Sequence, residues 1–295
     1  MRGIFPMLTV LALMLGMALP AAARPLAPLA GPADVVTAVE AGAVMIDIRA
    51  PKAYRAGHLP GAVNVPYGAW RGPRENPGAL ISDETLTGLL QSAGIAPDST
   101  VVVVNEGDSP AAFGATARVY WTLKSAGLDD IAILNGGYKA WGAAGLALTT
   151  DQPAVTPTDD VFAIATDWAI TRDEVRAVQD GEGDALLIDA RPDVFFRAET
   201  KHPAARWAGT LTGAVNLVHE TFFGADGRMR QDPAAVMAAA EAAGWTPGRT
   251  VVSFCNTGHW AASNWFALSE IGGIEDVRLY PESMAGWTRI FAPEG

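Results

Sequence analysis

The chain has 295 residues, 32 Asp and Glu against 21 Lys and Arg, a net charge of -11, and a single cysteine. That charge excludes a nucleic-acid backbone or an anionic membrane surface as the main partner, and one thiol cannot close an internal disulfide. A hydrophobic content of 49% with 18% charged residues describes a globular chain with ample core, and the length suits two domains.

In chain order, Met1-Arg2 is followed by an apolar stretch from Ile4 to Leu19 and then by Pro20-Ala21-Ala22-Ala23. A charged start, an apolar core and a small-residue exit predict a secretory signal over residues 1–23, with cleavage near Arg24 and a periplasmic destination. The apolar run is short for a membrane span, so no stable membrane insertion is expected. Next come VVTAVEAG, VMIDI, a polar turn, TLTGLLQSAG, VVVVN, AAFGATARVYWTLKSAG and IAILN, which alternate helical periodicity with short Val- and Ile-rich runs. This alternation predicts parallel strands joined by helical crossovers, an α/β domain over 24–148. TTDQPAVTPT (149–158) has prolines and no period, and opens a linker over 149–165. A second domain is expected over 166–295.

The second domain repeats the first. MIDIRAPKAYRAGHLPGAVNVPY (45–67) returns as LIDARPDVFFRAETKHPAARWAGTLTGAVNLVH (187–219), so that Asp47 and Arg49 match Asp189 and Arg191. TVVVVNEGDSPAAFGA (100–115) matches TVVSFCNTGHWAASNW (250–265), and ILNGGYKAW (133–141) matches RLYPESMAGW (278–287). The second copy also carries an insertion containing Arg197, Lys201, His202 and Arg206.

Cys255 lies where the run TVVSF ends, and open α/β sheets bind ligands beyond the carboxyl ends of their strands. The loop Cys255-Asn256-Thr257-Gly258-His259-Trp260 runs into a predicted helix, so successive backbone N–H groups can cup an anion and favour thiolate over thiol. The loop holds no acid to oppose that charge, and His259 could add a positive one. The first copy has Asn105-Glu106-Gly107-Asp108 in its place, two acids and no thiol. A buried, inert cysteine is the competing reading.

The sequence resembles the rhodanese family of sulfurtransferases, as a tandem pair covering the whole chain after the signal. The resemblance rests on the two Asp-x-Arg pairs, GHLPGAVN (57–64) with its partner GTLTGAVN (209–216), the Cys-x-x-Gly loop (255–258), and the Gly-Gly-Tyr-x-x-Trp and Ser-Met-x-x-Trp endings, in the same order in both halves. It implies a first domain without catalysis and a second whose Cys255 becomes a persulfide. Sulfur then passes from thiosulfate or 3-mercaptopyruvate to a thiol, cyanide or protein acceptor. The six-residue loop fits sulfur transfer better than the longer loop of the related phosphatases. A periplasmic persulfide carrier or anion-binding module with a dedicated protein partner is the alternative.

On this resemblance Asn256, Thr257, Gly258, His259 and Trp260 form the substrate pocket. The loop has neither Arg nor Lys, so one of Arg197, Lys201 and Arg206 is expected to supply the missing charge. Asp189 and Arg191 form a structural pair, because nothing at their spacing requires proton transfer, and His58 is read as stabilising a turn. Trp260 is either a pocket wall or a core contact. The four histidines, His58, His202, His219 and His259, lack ligand spacing, so neither a metal nor a cofactor is expected.

Overall fold

The computed structural model describes residues 26–293, and the expected signal segment lies outside them. The first half runs β1 (Leu29–Ala30), α1 (Pro32–Glu40), β2 (Val44–Asp47), α2 (Pro51–Ala56), β3 (Val63–Asn64), α3 (Asp83–Ser92), β4 (Val101–Val104), α4 (Pro110–Ser125), β5 (Ile131–Leu134) and α5 (Gly137–Ala143). The second half runs α6 (Arg172–Gln179), β6 (Ala185–Asp189), α7 (Asp193–Phe196), β7 (Val215–Asn216), α8 (Pro233–Ala242), β8 (Thr250–Phe254), α9 (Trp260–Phe266), β9 (Val277–Leu279) and α10 (Ser283–Ile290). Both sheets are parallel, ordered β1-β5-β4-β2-β3 and β7-β6-β8-β9. A single parallel bridge from Ala169 to Leu279 takes the place of β1 at the edge of the second sheet.

Local chemistry accounts for the element boundaries. Ser82, Ser109, Thr171 and Asp232 each accept an N–H of the first turn of α3, α4, α6 and α8, satisfying donors that a helix start leaves unpaired. The run VVVV of β4 is buried at every position, as a parallel strand covered on both faces must be. Equivalent register pairs Asp47 with Val104 and Asp189 with Phe254, which makes Asn105 and Cys255 the matching first residues beyond the two central strands.

Helices α4 and α9 follow those two loops, and they pack on each other. The central residues of α4, Phe113 to Leu123, are all buried, as are Ala261 to Phe266 of α9. Phe113 and Tyr120 set their rings edge-on to Phe266, with centroids 5.5 and 5.0 Å apart. Each fully buried apolar side chain of this kind contributes about 1.5–3 kcal/mol, so the domains share one core. At its margin Glu270 accepts from Tyr120 Oη and Lys124 Nζ, both at 2.7 Å.

The linker is docked, which its composition did not indicate. Phe162 is buried, Thr158 bonds Gln91 and Ile95, and Ala165 N donates to the Ser125 carbonyl. His58 stacks on Tyr54, and its ring nitrogens lie 2.9 and 3.0 Å from the carbonyl oxygens of Tyr54 and Asp151, which ties the turn before β3 to the linker. No helix among the described residues is long and apolar enough to cross a membrane.

Candidate active site

Cys255 is 1% exposed, at the floor of a cavity of about 240 Å³ lined by Ala111, His202, Asn256, Thr257, His259 and Trp260. No carboxylate lines it. Ala111 comes from the first domain and His202 from the insertion, so the cavity is lined by three separate parts of the chain.

The loop is held from below by Ser283. Its Oγ accepts the N–H of Cys255 at 3.0 Å and of Gly258 at 3.1 Å, and donates to the Tyr280 carbonyl at 2.9 Å. These two amides are therefore committed within the protein, which leaves the other loop amides for the anion cradle that the sequence suggests. The N–H groups of Asn256, Thr257, His259 and Trp260 have no hydrogen-bond partner among the described residues. Ser283 has φ of 50°, a left-handed conformation that costs a side chain about 1 kcal/mol. The matching residue of the first copy is Gly137, at φ 51°. A Cβ there would meet the Asn105 carbonyl oxygen at 2.4 Å, so only the copy with the thiol accommodates a hydroxyl at this point.

We expect Ser283→Ala to leave two buried amides unpaired while keeping the backbone strain. Stability should fall by about 2–4 kcal/mol and turnover roughly tenfold or more. Ser283→Gly should recover about 1 kcal/mol of that stability by relaxing φ, with no recovery of turnover. Thermal melts with steady-state rates on both variants test this; turnover restored by Gly would show that the hydroxyl is dispensable.

Asp189 and Arg191 close the strand end onto the loop. Arg191 donates to Asp189 through Nε at 2.8 Å and Nη2 at 2.6 Å, to the Gly209 carbonyl at 2.7 Å, and to Asn256 Oδ1 at 3.3 Å. Thr210, which stands where the first copy has His58, donates to Asp189 Oδ2 at 2.7 Å. Asn256 is thereby oriented, with a buried Nδ2 that has no partner among the described residues.

His259 is not a cation here. Its Nε2 lies 2.6 Å from the Ala111 carbonyl and must carry the proton, so Nδ1 accepts from Tyr67 Oη at 2.9 Å. Desolvation pushes its pKa down to about 4, with Arg71, His219 and Arg118 adding to the effect against the Ala111 bond. The ring stays neutral through the physiological range and fastens the loop to the first domain. Trp260 lines the cavity and also stacks on His219, centroids 5.0 Å apart, with Phe195 edge-on.

The insertion behaves differently from the expectation. Arg197 is exposed and paired with Asp193 at 2.8 Å, Lys201 donates back to the Ala205 carbonyl at 2.8 Å, and exposed Arg206 donates its backbone N–H to Thr288 Oγ1. None of the three lines the cavity; the insertion presents His202 instead. The His202 Nδ1 accepts from Ala204 N–H at 3.1 Å, which leaves Nε2–H as its free donor. Burial, with Arg71 and Lys201 nearby, lowers its pKa and keeps it neutral.

The cations that do reach the loop come from the first domain. Arg71 Nη2 donates to the Thr257 carbonyl at 2.5 Å, and Arg118 Nη1 to the Gly258 carbonyl at 3.3 Å. Arg118 could have been suspected as the one charge inside the apolar helix ATARVYW, and Ser283 as the residue replacing a repeat glycine. In the first copy the matching loop has collapsed: a Cβ on Gly107 would lie 1.8 Å from the Gly136 carbonyl oxygen, and Glu106 turns to Arg49 at 3.5 Å.

The rhodanese-like domain model matches residues 32–144 and 171–290. The chain belongs to the rhodanese family. A Synechococcus elongatus protein named "Putative thiosulfate sulfurtransferase" is 32% identical over 84% of this chain and 77% of its own length. A Pseudomonas aeruginosa protein named "Probable 3-mercaptopyruvate sulfurtransferase" is 34% identical over 67% of this chain and 68% of its own. The solved structure of an anaerobic ergothioneine biosynthesis enzyme from Chlorobium limicola superposes with a TM-score of 0.78 at 22% identity, covering 89% of this chain and 67% of that one. That likeness is one of fold.

Proposed function

We propose that this rhodanese is a sulfurtransferase that moves sulfane sulfur from a small anionic donor, thiosulfate or 3-mercaptopyruvate, through a persulfide on Cys255. The observation that carries the proposal is the placement of the chain's single thiol in a cavity lined without carboxylates, among donors that have no partner among the described residues. With thiosulfate, the Cys255 thiolate attacks the outer sulfur; the new S–S bond forms as the old one breaks, and sulfite leaves with the electron pair. A cyanide or thiolate acceptor then attacks the outer persulfide sulfur, forming thiocyanate or a new persulfide and returning the thiolate. With 3-mercaptopyruvate the leaving carbon takes the donor thiol's proton and departs as pyruvate. Asn256 Nδ2, the unpaired loop amides and His202 Nε2–H bind the donor's oxygens. Export to the periplasm is part of the same proposal and rests on the Met1–Ala23 pattern alone.

Thiosulfate:cyanide and 3-mercaptopyruvate kinetics test the donor assignment. Loss of one neutral hydrogen bond in His202→Ala should raise KM for thiosulfate roughly three- to tenfold. Arg197→Ala, Lys201→Ala and Arg206→Ala should stay within about twofold of wild type, as exposed groups do. An insertion cation whose loss raises KM more than that of His202 would place the donor outside the described cavity.

A further inference from the structure

Arg118 is 1% exposed, and none of the ion pairs among the described residues includes it. Its guanidinium touches two main-chain carbonyls, Gly258 at 3.3 Å and Gly78 at 3.0 Å, and its carbon lies 5.2 Å from the ring centroid of Trp121. Its Nε has no partner among the described residues. Proteins normally pair a charge taken this far from water. The contrast within the chain is direct: Arg49 and Arg191, which are also buried, each hold a carboxylate in a fork. A second cation from the same domain, Arg71, also bonds a loop carbonyl and makes no ion pair among the described residues.

We propose that Arg118, on the helix of the domain that lacks the thiol, is the fixed positive charge of the Cys255 site, and that its counter-charge is the sulfur anion itself or the anionic donor. Helix α4 packs on α9, and this contact carries Arg118 beneath Gly258 in the loop of Cys255. Burial and Arg71 bring the Arg118 pKa down to about 9, while Tyr67 and Cys255 oppose the fall, so the group remains a cation at neutral pH and lies within electrostatic reach of the sulfur. Gly258 is fitted to it: a Cβ there would meet Arg118 Nη1 at 2.4 Å. The neutral cavity wall and the outward-facing insertion cations leave this field to the first domain, which gives the domain without a thiol a part in the chemistry. Arg118 acts through charge and through the loop carbonyl, as a positioning residue.

The proposal deepens the sulfurtransferase reading, but its test involves no sulfur donor. The full chain, reduced and then freed of reductant, is alkylated at pH 7 with anionic iodoacetate and with neutral iodoacetamide. Intact mass follows the single cysteine, with N-acetylcysteinamide as the reference thiol. A standing cation should raise the iodoacetate-to-iodoacetamide rate ratio about tenfold or more above the reference. Arg118→Lys should keep that ratio within about threefold of wild type, Arg71→Met should keep at least a third of it, and a folded Arg118→Met should fall to the reference value. A wild-type ratio equal to the reference overturns the proposal whether or not the Met variant folds. So does a wild-type ratio in folded Arg118→Met, a ratio in Arg118→Lys at the reference value, or a fall to the reference in Arg71→Met alone. A raised ratio in a chain that takes no sulfur from thiosulfate would keep the assignment of Arg118 and remove the sulfurtransferase reading; sulfur transfer with an unraised ratio would do the reverse.

Discussion

Cys255→Ser is expected to lower sulfur transfer by roughly a thousandfold or more while leaving the fold unchanged, because the hydroxyl fills nearly the same space but cannot hold sulfane sulfur. The site is built so that this substitution is sterically mild. The residue is buried at the strand end, and the loop around it is held by contacts that do not involve Sγ: Ser283 on the Cys255 and Gly258 amides, and Met284 N–H on the Cys255 carbonyl. Circular dichroism and melting temperature should match wild type, and the thiosulfate:cyanide rate should fall to background. Turnover within a few-fold of wild type in the Ser variant would mean that sulfur moves without a covalent intermediate.

Asp189→Ala should be the most destabilising single change in the second domain, by about 3–5 kcal/mol, because it strands a guanidinium that has no exposed surface to retreat to. Asp189 is fully buried and accepts from Arg191 N, Nε and Nη2 and from Thr210 Oγ1, so one truncation removes the acceptor that these four groups share. Activity should suffer as well, since Arg191 would lose the orientation from which it holds Asn256. Asp193→Ala is the control: it breaks the exposed pair with Arg197, and pairs of that kind contribute about 0.3–0.5 kcal/mol. Urea unfolding of both variants reads the difference; equal and small shifts would show that the buried fork holds nothing in place.

The repeat, the parallel strands and the position of Cys255 were legible because they depend on local pattern: runs such as VVVV and TVVSF are strands whatever surrounds them. The surroundings of the thiol were not, because they depend on which surfaces meet. That α4 and α9 bury each other is a property of the pair, and each alone reads as an ordinary crossover helix. From this one contact follow Arg118 under the loop, Ala111 at the cavity and the neutral His259 bound to the Ala111 carbonyl. The insertion misled for a similar reason. Its charges suggested a donor site, but Lys201 folds back on its own turn and Arg197 pairs with its own helix, so the useful group is the half-buried His202 next to Lys201. Ser283 was visible only as a mismatch to Gly137, and its meaning depended on the left-handed backbone shared by both positions.

The central claim is that Cys255 carries sulfur. The protein incubated with thiosulfate, freed of it, and weighed intact under non-reducing conditions should show an added mass of about 32 Da that cyanide or a thiol removes. Cys255→Ser, treated identically, should show none. An unmodified wild-type mass after thiosulfate and again after 3-mercaptopyruvate, or the same added sulfur on the Ser variant, would contradict the account.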